Sequence, residues 1–547
     1  MKGGEALVET LLAWGVDTAF SVPGESYLPV LAALQQAQNR IRLITPRHEG
    51  GVTFAAAAYG RIARRPAVCF VSRGPGATNA SIGVHTAMQD SIPLVLFIGN
   101  VPTGSLGKEA FQEIDYHRMY GAIAKGVLEP QHARQVPEVT ARALALASTG
   151  RPGPVIVIIP KDISDGDTGD APIPQPGPKP SAGCDAAVAA EIAGLLAAAK
   201  RPILLAGELV SAESASGELV ALAEACGAPV IATYRQEDAY PNDHAAYAGH
   251  IEIDRVPFQT EAFAACDLIV AVGCRLDGIT TRDFSLIRPD QKLVHIFPDW
   301  DVLSRWRSTV AVAANLKPTL AAVTAAVSGA APADRVAWRD ALHAAQSDFV
   351  KADAVSVHGP VNLAKVVETV DALAPDDAVI LCDSGTFARW VHRFYRFTRP
   401  HTQAGPMSGA MGYAVPGAIG TTLAKPEAPS IAFVGDGGFL MTGQELTTAV
   451  QHGLPVKVVL CDNNAWGSIL VSQQRAYGAP GEFGTRLQSP DFAAVARGYG
   501  MPAWRVEKTA DFEAAFREAL AHPGPALIHL LLDSRDVSPF SGEDAKV

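Results

Sequence analysis

Two stretches of the chain place polar residues directly after apolar, strand-like runs. The first is "FVGDGGFL", in which Asp436 follows the run, and the second is "LCDNNAWG", in which Asn463 takes a similar place. Carboxylate and amide groups are costly beside an apolar core unless something pairs with them. A carboxylate, an amide oxygen and a loop carbonyl are the ligands that Mg²⁺ prefers, with phosphate oxygens completing the octahedron. These residue types therefore suggest a magnesium and phosphate site.

The spacing of the two residues strengthens this interpretation. "PSIAFV" is typical of a buried strand, "MTGQELTTAVQHG" of a helix and "LPVKVVLC" of the next strand. Thr442 and Glu445 have the spacing of a capping box at the start of that helix. A strand-helix-strand crossover returns both strand ends to one edge of a parallel sheet, where such folds bind ligands. Either motif alone is better explained as a polar turn, but together they predict that Asp436 and Asn463 meet.

The elements that must position these residues follow one pattern along the chain. Continuous apolar runs such as "AVCFVS", "PVIVIIP" and "LIVAVG" alternate with helical stretches, which predicts strands buried on both faces and an α/β fold of parallel sheets. A segment rich in Pro, Gly and Asp (Ser164 to Gly183) is expected to be an extended linker, and a second break lies near Val327 to Val336. The tail from Ser534 to Val547 is polar and is expected to be loose. Three domains result, with predicted bounds of 1–163, 184–328 and 356–535.

Composition excludes several classes of function. The net charge of -11 argues against nucleic acid as a partner, because phosphate backbones need a basic face. No apolar stretch reaches the ~18 residues of a membrane span, and the N-terminus resembles an amphipathic helix more than a signal peptide. The seven cysteines stand singly, mostly in apolar runs, which is typical of buried thiols. A cytoplasmic protein without a membrane partner is predicted.

The order of G-D-G and then N-N one crossover later resembles the motif of thiamine diphosphate-dependent enzymes. That family includes pyruvate decarboxylase, benzoylformate decarboxylase and acetohydroxyacid synthase, and the resemblance covers nearly the whole chain. It implies three doubly wound domains in the order pyrimidine, central and diphosphate. It also implies that Asp436 and Asn463 bind Mg²⁺ through their side chains and Ala465 through its carbonyl. The further residues that it implies for cofactor binding are Gly385, Thr386, Phe387, Gly409, Met411, Gly435, Gly437, Gly438, Trp466 and Gly467.

A second motif, "LITPRHEGGVTFAAAAYGR", supplies a carboxylate in an apolar setting. Glu49 follows a strand and opens a helix of small and apolar residues, and burial of this kind raises the pKa of a carboxyl group. In the family, R-H-E before an Ala-rich helix marks the glutamate that protonates N1′ of the coenzyme's aminopyrimidine. The alternative is a glutamate favoured only by the helix dipole.

The resemblance also assigns roles near the coenzyme rings. Met411 corresponds to the apolar side chain that wedges beneath the rings, and the carbonyl of Gly409 to the acceptor for N4′; a methionine that merely fills the core is the alternative. Because Glu49 lies in the first domain and the metal site in the third, the resemblance implies a homodimer or homotetramer with active sites between subunits.

Within the family, the chain is most similar to acetohydroxyacid synthase, which implies a 2-oxo acid donor and a 2-oxo acid or aldehyde acceptor. The match places Gly24, Phe111, Gln112 and Ser472 in the substrate pocket, with Gln112 also a catalytic candidate. His85 stands where that enzyme has Ala, and it either faces the pocket as a third catalytic candidate beside Glu49 or lies on the helix surface.

Departures from that enzyme leave the reaction open. Ser472 replaces the Trp that selects the acceptor, and "LAGELVS" and "AGHIEID" replace the segments that hold FAD, so FAD binding and acetolactate formation are both doubtful. A C–C lyase or decarboxylase acting on a larger 2-oxo or 2-hydroxy acid is the alternative. A nucleotide-binding oxidoreductase or a non-catalytic homologue would be expected to lack Glu49 or Asp436, and both are present.

Overall fold

The chain forms three parallel six-stranded sheets with helices packed around them, which confirms the predicted α/β fold class. The structure is a computed structural model that describes residues 1–540. Part of the predicted loose tail, residues 541–547, therefore lies outside the described residues. The predicted domain bounds stay predictions.

The first sheet has the strand order β2-β1-β3-β4-β6-β5. Its strands are β1 (Thr18–Ser21), β2 (Arg42–Ile44), β3 (Ala67–Val71), β4 (Leu94–Asn100), β5 (Gly126–Leu128) and β6 (Pro154–Pro160). Its helices are α1 (Gly3–Ala13), α2 (Leu28–Gln36), α3 (Glu49–Ala63), α4 (Pro75–Gln89), α5 (Tyr116–Tyr120), α6 (Val136–Ser148) and α7 (Lys161–Asp165). Residues 171–185 contain no helix or strand, as predicted for the linker.

The second sheet has the order β12-β11-β10-β7-β8-β9. Its strands are β7 (Pro202–Ala206), β8 (Val230–Ala232), β9 (Tyr247–His250), β10 (Leu268–Val272), β11 (Lys292–Ile296) and β12 (Val310–Val312). Its helices are α8 (Ala186–Ala198), α9 (Glu208–Ala212), α10 (Ser216–Cys226), α11 (Pro257–Ala265), α12 (Trp300–Leu303) and α13 (Leu316–Ala326). Helix α14 (Ala333–Phe349) follows the second predicted break and leads to the third sheet.

The third sheet has the order β14-β13-β15-β16-β18-β17, so the strand order reverses between β13 and β15, and this place is the topological switch point of the sheet. Its strands are β13 (Val379–Cys382), β14 (Gln403–Ala404), β15 (Ser430–Gly435), β16 (Lys457–Asp462), β17 (Ala503–Val506) and β18 (Ala526–Leu531). Its helices are α15 (Leu363–Leu373), α16 (Phe387–Phe394), α17 (Ala414–Ala424), α18 (Asp436–Thr442), α19 (Leu446–Gln451), α20 (Gly467–Tyr477), α21 (Phe492–Gly498) and α22 (Phe512–Ala521). Ligands of open α/β sheets bind at such a switch point.

The first and third domains share a core through α3 and α17. The residues of α3 from Gly50 to Gly60 are buried, because their small side chains allow close approach on all sides. A Cβ added to Gly420 in α17 would lie 2.0 Å from the carbonyl oxygen of Ala55. Only glycine fits there, and this contact fixes the start of α3, including Glu49, relative to the third sheet.

The described part of the tail is not loose, which corrects that prediction for residues 534–540. The Asp536 carboxylate accepts the backbone N–H groups of His358 (2.9 Å) and Gly359 (2.8 Å), and Phe540 is buried. The polar composition of the tail gave no sign of these contacts, because their partners lie about 180 residues away along the chain.

The central domain is joined to the third sheet by Arg235, which is fully buried. Its guanidinium donates to the carbonyl oxygens of Cys382 (3.1 Å) and Asp383 (3.0 Å) at the end of β13. A second junction is made by Arg61 of α3, which donates to the carbonyl of Gln403 at 2.7 Å. Polar contacts therefore tie the three domains together at the carboxyl end of the third sheet.

We expect replacement of Arg235 by Met to lower the Tm by roughly 5–10 °C, because it leaves two buried carbonyl oxygens without their donor. Thermal unfolding followed by circular dichroism measures the change. Arg118→Met is the matched control, since that side chain is 91% exposed and should shift the Tm little. Equal Tm values for the two variants would contradict the role of Arg235.

Candidate active site

A cavity of about 240 Å³ opens at the carboxyl ends of β13, β15 and β16, at the switch point of the third sheet. Every residue predicted to bind the cofactor, apart from Glu49, lines this cavity. These residues are Gly385, Thr386, Phe387, Gly409, Met411, Gly435, Asp436, Gly437, Gly438, Asn463, Ala465, Trp466 and Gly467. Four separate segments of the chain thus converge on one space, the switch-point cavity.

The three predicted magnesium ligands form one cluster in this cavity. Gly435 pairs with Cys461 in the register of β15 and β16, so the residues that follow these strands emerge side by side. The N–H of Ala465 donates to the Asp436 Oδ2 and to the Asn463 Oδ1, at 3.1 Å in each case. The predicted meeting of the two strand ends is therefore present in the structure.

The electrostatics of this cluster suit a cation. Burial, and to a smaller extent the neighbouring Asp462 carboxylate, raise the pKa of Asp436 to about 7. Burial acts in the same direction on Asp462, but the hydrogen bonds from His529 (2.9 Å) and Ser489 (2.8 Å) outweigh it and lower the pKa of that carboxyl. Asp462 is thus satisfied by protein groups, whereas ionised Asp436 would gain from a bound cation, so the donor set fits Mg²⁺.

Among residues 1–540, no group of three or more His, Cys, Asp and Glu side chains is arranged to hold a metal ion. The predicted magnesium site has one carboxylate, one amide oxygen and one backbone carbonyl, so it differs in kind from such a group. Mg²⁺ commonly takes few protein ligands and completes its shell with water and phosphate oxygens.

Two positions of the cavity require glycine, each for a different structural reason. A Cβ on Gly437 would lie 2.1 Å from the ring of Trp466, so glycine allows the indole to pack against the start of α18. Gly409 has a φ of +72° and open space around its Cα, so at this position the backbone conformation requires glycine. The family resemblance had implied only that these glycines take part in cofactor binding.

Asp383 supports the loop that carries Met411, and its role was not predicted from the sequence. This buried carboxylate accepts the N–H groups of Ser384 (2.7 Å), Gly412 (2.9 Å) and Ala414 (3.2 Å), and burial raises its pKa to about 6. A signal was present, because "LCD" ends β13 just as it ends β16. Asp536 and Val537 of the tail also line the switch-point cavity, and nothing in the sequence indicated it.

Glu49 is the first residue of α3, as predicted, but it does not line the switch-point cavity of its own chain. Its Oε2 accepts the side-chain amide of Asn79 at 3.0 Å, and a Cβ on Gly76 would lie 3.2 Å from its Oε1. The glutamate therefore faces the start of α4 on the first domain.

Three of the predicted pocket residues lie near the same turn of the first domain. Gln112 adopts a left-handed φ of 64°, and a Cβ on Gly74 would lie 2.7 Å from its Cβ. The preceding carbonyl, of Phe111, accepts a hydrogen bond from Arg73 at 3.0 Å, and a Cβ on Gly24 would collide with Ser72. This group, together with Glu49, forms the first-domain cluster.

The fourth predicted pocket residue, Ser472, and the catalytic candidate His85 lie elsewhere. His85 is exposed on α4, about 9 Å along the helix from Asn79, and lines neither the switch-point cavity nor the first-domain cluster. Ser472 is exposed on α20, and its hydroxyl donates to the carbonyl of Ser468 at 2.9 Å. The structure of the single chain does not bring either residue to the switch-point cavity.

The predicted capping box at Thr442 and Glu445 is wrong. The Thr442 hydroxyl donates to the Gly412 carbonyl at 2.7 Å, and a short 3-10 turn separates α18 from α19. Glu445 instead accepts the N–H groups of Arg47 and His48, each at 3.0 Å. The carboxylate therefore serves the start of α3 in the first domain, a contact that local spacing cannot indicate.

Comparison with protein families agrees with this geometry. Three family models match the chain: the N-terminal TPP binding domain of thiamine pyrophosphate enzymes over residues 1–119, their central domain over residues 189–323 and their C-terminal TPP binding domain over residues 383–530. The switch-point cavity lies mainly within the third match and the first-domain cluster within the first.

Curated proteins of three organisms resemble nearly the whole chain. The probable acetolactate synthase large subunit of Methanocaldococcus jannaschii is 32% identical and is matched over 99% of this chain and 93% of its own length. The acetolactate synthase large subunit of Corynebacterium glutamicum is also 32% identical, over 100% and 88%. The large subunit of acetolactate synthase isozyme 1 from Escherichia coli K12 is 32% identical over 98% and 94%.

Proposed function

Because the chain belongs to the family of thiamine diphosphate-dependent enzymes that includes acetolactate synthase, we propose that it is a Mg²⁺-dependent decarboxylase and carboligase of 2-oxo acids. Bound thiamine diphosphate would supply a nucleophilic carbon that adds to a carbonyl group, and a cationic ring that takes up the electrons left by loss of CO₂ or by C–C cleavage. The observation that carries the proposal is the hydrogen-bonded cluster of Asp436, Asn463 and Ala465 in a cavity at the switch point. A small-molecule acceptor, either an aldehyde or a second 2-oxo acid, completes the carboligation.

The residues of the switch-point cavity divide the work of holding the coenzyme. Asp436 and Asn463 would provide side-chain oxygens for Mg²⁺ and Ala465 a backbone carbonyl, and the N–H groups at the start of α18 would be available to the diphosphate. Met411 would contact the coenzyme rings, and Asp383 holds the loop of Met411 through the N–H groups of Gly412 and Ala414.

Glu49 completes the site from a second copy of the chain. It faces away from its own switch-point cavity, and exposed apolar side chains stand on both domains that would have to meet: Ile82 and Phe111 in the first, Leu440 and Met441 in the third. Apolar surface of this kind marks contacts between proteins. We therefore infer a homodimer or homotetramer in which Glu49 of one subunit holds a proton at N1′ of the coenzyme bound by the other.

The compartment is inferred from the thiols. All seven cysteines are unpaired, and six of them are buried, which supports a reducing compartment such as the cytoplasm. No helix of residues 1–540 combines the length and the apolar character needed to cross a membrane.

A lyase or decarboxylase acting on a larger 2-oxo or 2-hydroxy acid is the second candidate. It is favoured by a larger cavity, of about 780 Å³, that adjoins the switch-point cavity. The replacement of Trp by Ser472 gains no support from the structure of the single chain, because Ser472 lines neither cavity.

We propose that the central domain binds no FAD. In the segment "LAGELVS", the buried Glu208 carboxylate forms an ion pair with Arg275 at 2.9 Å. In "AGHIEID", the buried His250 lies 3.5 Å from Glu237. Ionic side chains thus fill the two segments that would have to admit the flavin.

For the central domain we expect no flavin absorbance in the purified enzyme, and none after incubation with FAD and gel filtration. The visible spectrum of the protein fraction measures this directly. A stoichiometric flavin spectrum would contradict the proposal and would restore acetolactate synthesis as the favoured reaction.

Replacing Asp436 with Ala should abolish Mg²⁺-dependent retention of thiamine diphosphate, because it removes the only carboxylate among the three proposed ligands. Calorimetric titration of the coenzyme with and without Mg²⁺ measures the loss. Asp376→Ala, at an exposed position of the same domain, is the control and should bind like the wild type. Unchanged coenzyme affinity in Asp436→Ala would contradict the ligand assignment.

The wild type should release CO₂ from at least one member of a panel of 2-oxo acids, assayed with and without aldehyde acceptors. Glu49→Gln should remove most of that turnover, by a factor of about 10² or more, because an amide cannot supply the proton at N1′. Its coenzyme affinity should stay near that of the wild type. Glu138→Gln, on the surface of α6, is the control. Full turnover by Glu49→Gln would exclude the proposed activation.

A further inference from the structure

A second cavity, of about 780 Å³, lies between the central domain, the segment after α14 and the tail. It adjoins the switch-point cavity, because Asp536 and Val537 line both. Its volume falls in the range of small-molecule sites, about 300–1,000 Å³. A ligand in this cavity would therefore lie next to the coenzyme site without occupying it.

Helix α20 runs along both cavities. Its first residues, from Gly467 to Ile469, line the switch-point cavity. Val471 and Arg475, one helical turn apart and so on the same face of the helix, line the second cavity. Val471 and Arg475 therefore face the second cavity, and Ser472 does not. The sequence alone could not show this, because it does not fix the rotation of the helix relative to the cavity.

One wall of the second cavity is aromatic. The rings of Phe258 and Phe349 lie 6.1 Å apart and those of Phe349 and Phe540 lie 5.8 Å apart. Phe258 and Phe349 are half-buried and offer an apolar surface to the cavity, while Phe540 and Trp390 are buried. The Arg393 guanidinium lies over one face of Phe349, 3.8 Å from the ring centroid. The wall suits a ligand with an aromatic or bulky apolar group.

Most charged side chains of the cavity have partners at close range. Asp536 meets His358 (2.7 Å), Asp348 meets Lys351 (2.6 Å), Arg535 meets Asp533 (2.6 Å), and Arg393 donates to the carbonyls of Phe349 and Pro539. Asp536 and Arg393 thus hold the tail to the rest of the domain, whereas the Asp348–Lys351 and Arg535–Asp533 pairs are local.

Arg475 differs from them. Its nearest acidic group is the buried carboxylate of Asp254, at 3.7 Å, and the other oxygen of that carboxylate is engaged by Arg389. Two guanidinium groups thus share one carboxylate, and the Arg475 side chain is 33% exposed. The arrangement leaves positive charge facing the cavity, where a second carboxylate would balance it.

We propose that the second cavity binds an acceptor substrate that carries both a carboxylate and an aromatic or bulky apolar group, and that Arg475 determines this specificity. The inference rests on the proposed carboligase activity, since it names the class of its acceptor. The acceptor carboxylate that pairs with Arg475 is not lost as CO₂ and remains in the product. A cation paired with a carboxylate that leaves as CO₂ would stabilise the ground state more than the transition state and so slow the reaction. The aromatic wall holds the apolar group, and the reacting carbonyl points toward the switch-point cavity.

The test uses two unreactive probes that differ only in the charged group, hydrocinnamate and hydrocinnamyl alcohol. Both are titrated calorimetrically into the full-length enzyme loaded with thiamine diphosphate and Mg²⁺. The wild type should bind the carboxylate more tightly than the alcohol. Arg475→Gln should raise the Kd of hydrocinnamate by about tenfold, the usual loss for one charge-assisted contact, and leave that of the alcohol within about twofold.

Two further variants sharpen the result. Arg535→Gln removes another arginine of the same cavity that is already paired, so it should leave both Kd values unchanged. Arg475→Lys should restore part of the affinity, because it returns the charge without the planar fork. Equal binding of the two probes by the wild type, an equal effect of Arg535→Gln, or no saturable binding would each overturn the proposal.

These outcomes are separable from failure of the proposed function. The probes contain no carbonyl group that could react with the coenzyme, so their binding does not depend on turnover. An enzyme that releases no CO₂ from any 2-oxo acid but binds hydrocinnamate through Arg475 would refute the carboligase activity and retain the carboxylate site.

Discussion

The structure depends on how two neighbouring carboxylates are accommodated at the carboxyl end of one sheet. Asp436 and Asp462 lie at the ends of adjacent parallel strands, and both are buried. Ionisation of both carboxyl groups is unfavourable because the two negative charges repel each other. His529 and Ser489 satisfy Asp462. Asp436 receives backbone N–H groups and a long contact from Ser489, so its ionised form would gain from a bound cation, which is the basis of the proposed magnesium and diphosphate site at the switch point.

A second constraint separates the two halves of the proposed site. The close packing of α3 on α17, with glycine at position 420, and the hydrogen bonds of Glu445 to the start of α3 fix Glu49 rigidly relative to its own third domain. In that position the glutamate lies outside the switch-point cavity. If Glu49 has the proposed role in coenzyme activation, it must act on the cavity of a second subunit, and the contacts that join the domains of one chain are the reason.

What the sequence could predict followed from regular geometry. Parallel strands with apolar runs and polar ends sufficed to bring Asp436 and Asn463 together, because strand ends of a crossover share one edge, whereas Ala465 was implied by the family resemblance. The sequence misled where a side chain's partner is distant in the chain, as for Glu445, which spacing assigned to a helix cap, and for Asp536, which composition assigned to a loose tail. Ser472 shows that position along the chain does not determine which side of a helix faces a site. The family resemblance implied that Ser472 lines the substrate pocket, but the rotation of α20 turns Val471 and Arg475, not Ser472, toward the second cavity. Asp383 could have been found from its repeated "LCD" context.

The claim that two subunits share each site is tested most directly by a hybrid. Glu49→Gln and Asp436→Ala chains carrying different tags are produced together, and hybrids are isolated through both tags. Each hybrid dimer should contain one intact site, with Glu49 from one chain and Asp436 from the other, and so recover about half of the wild-type turnover, whereas each variant alone stays inactive. A hybrid as inactive as its parents would show that both residues must come from the same chain, which would contradict the account.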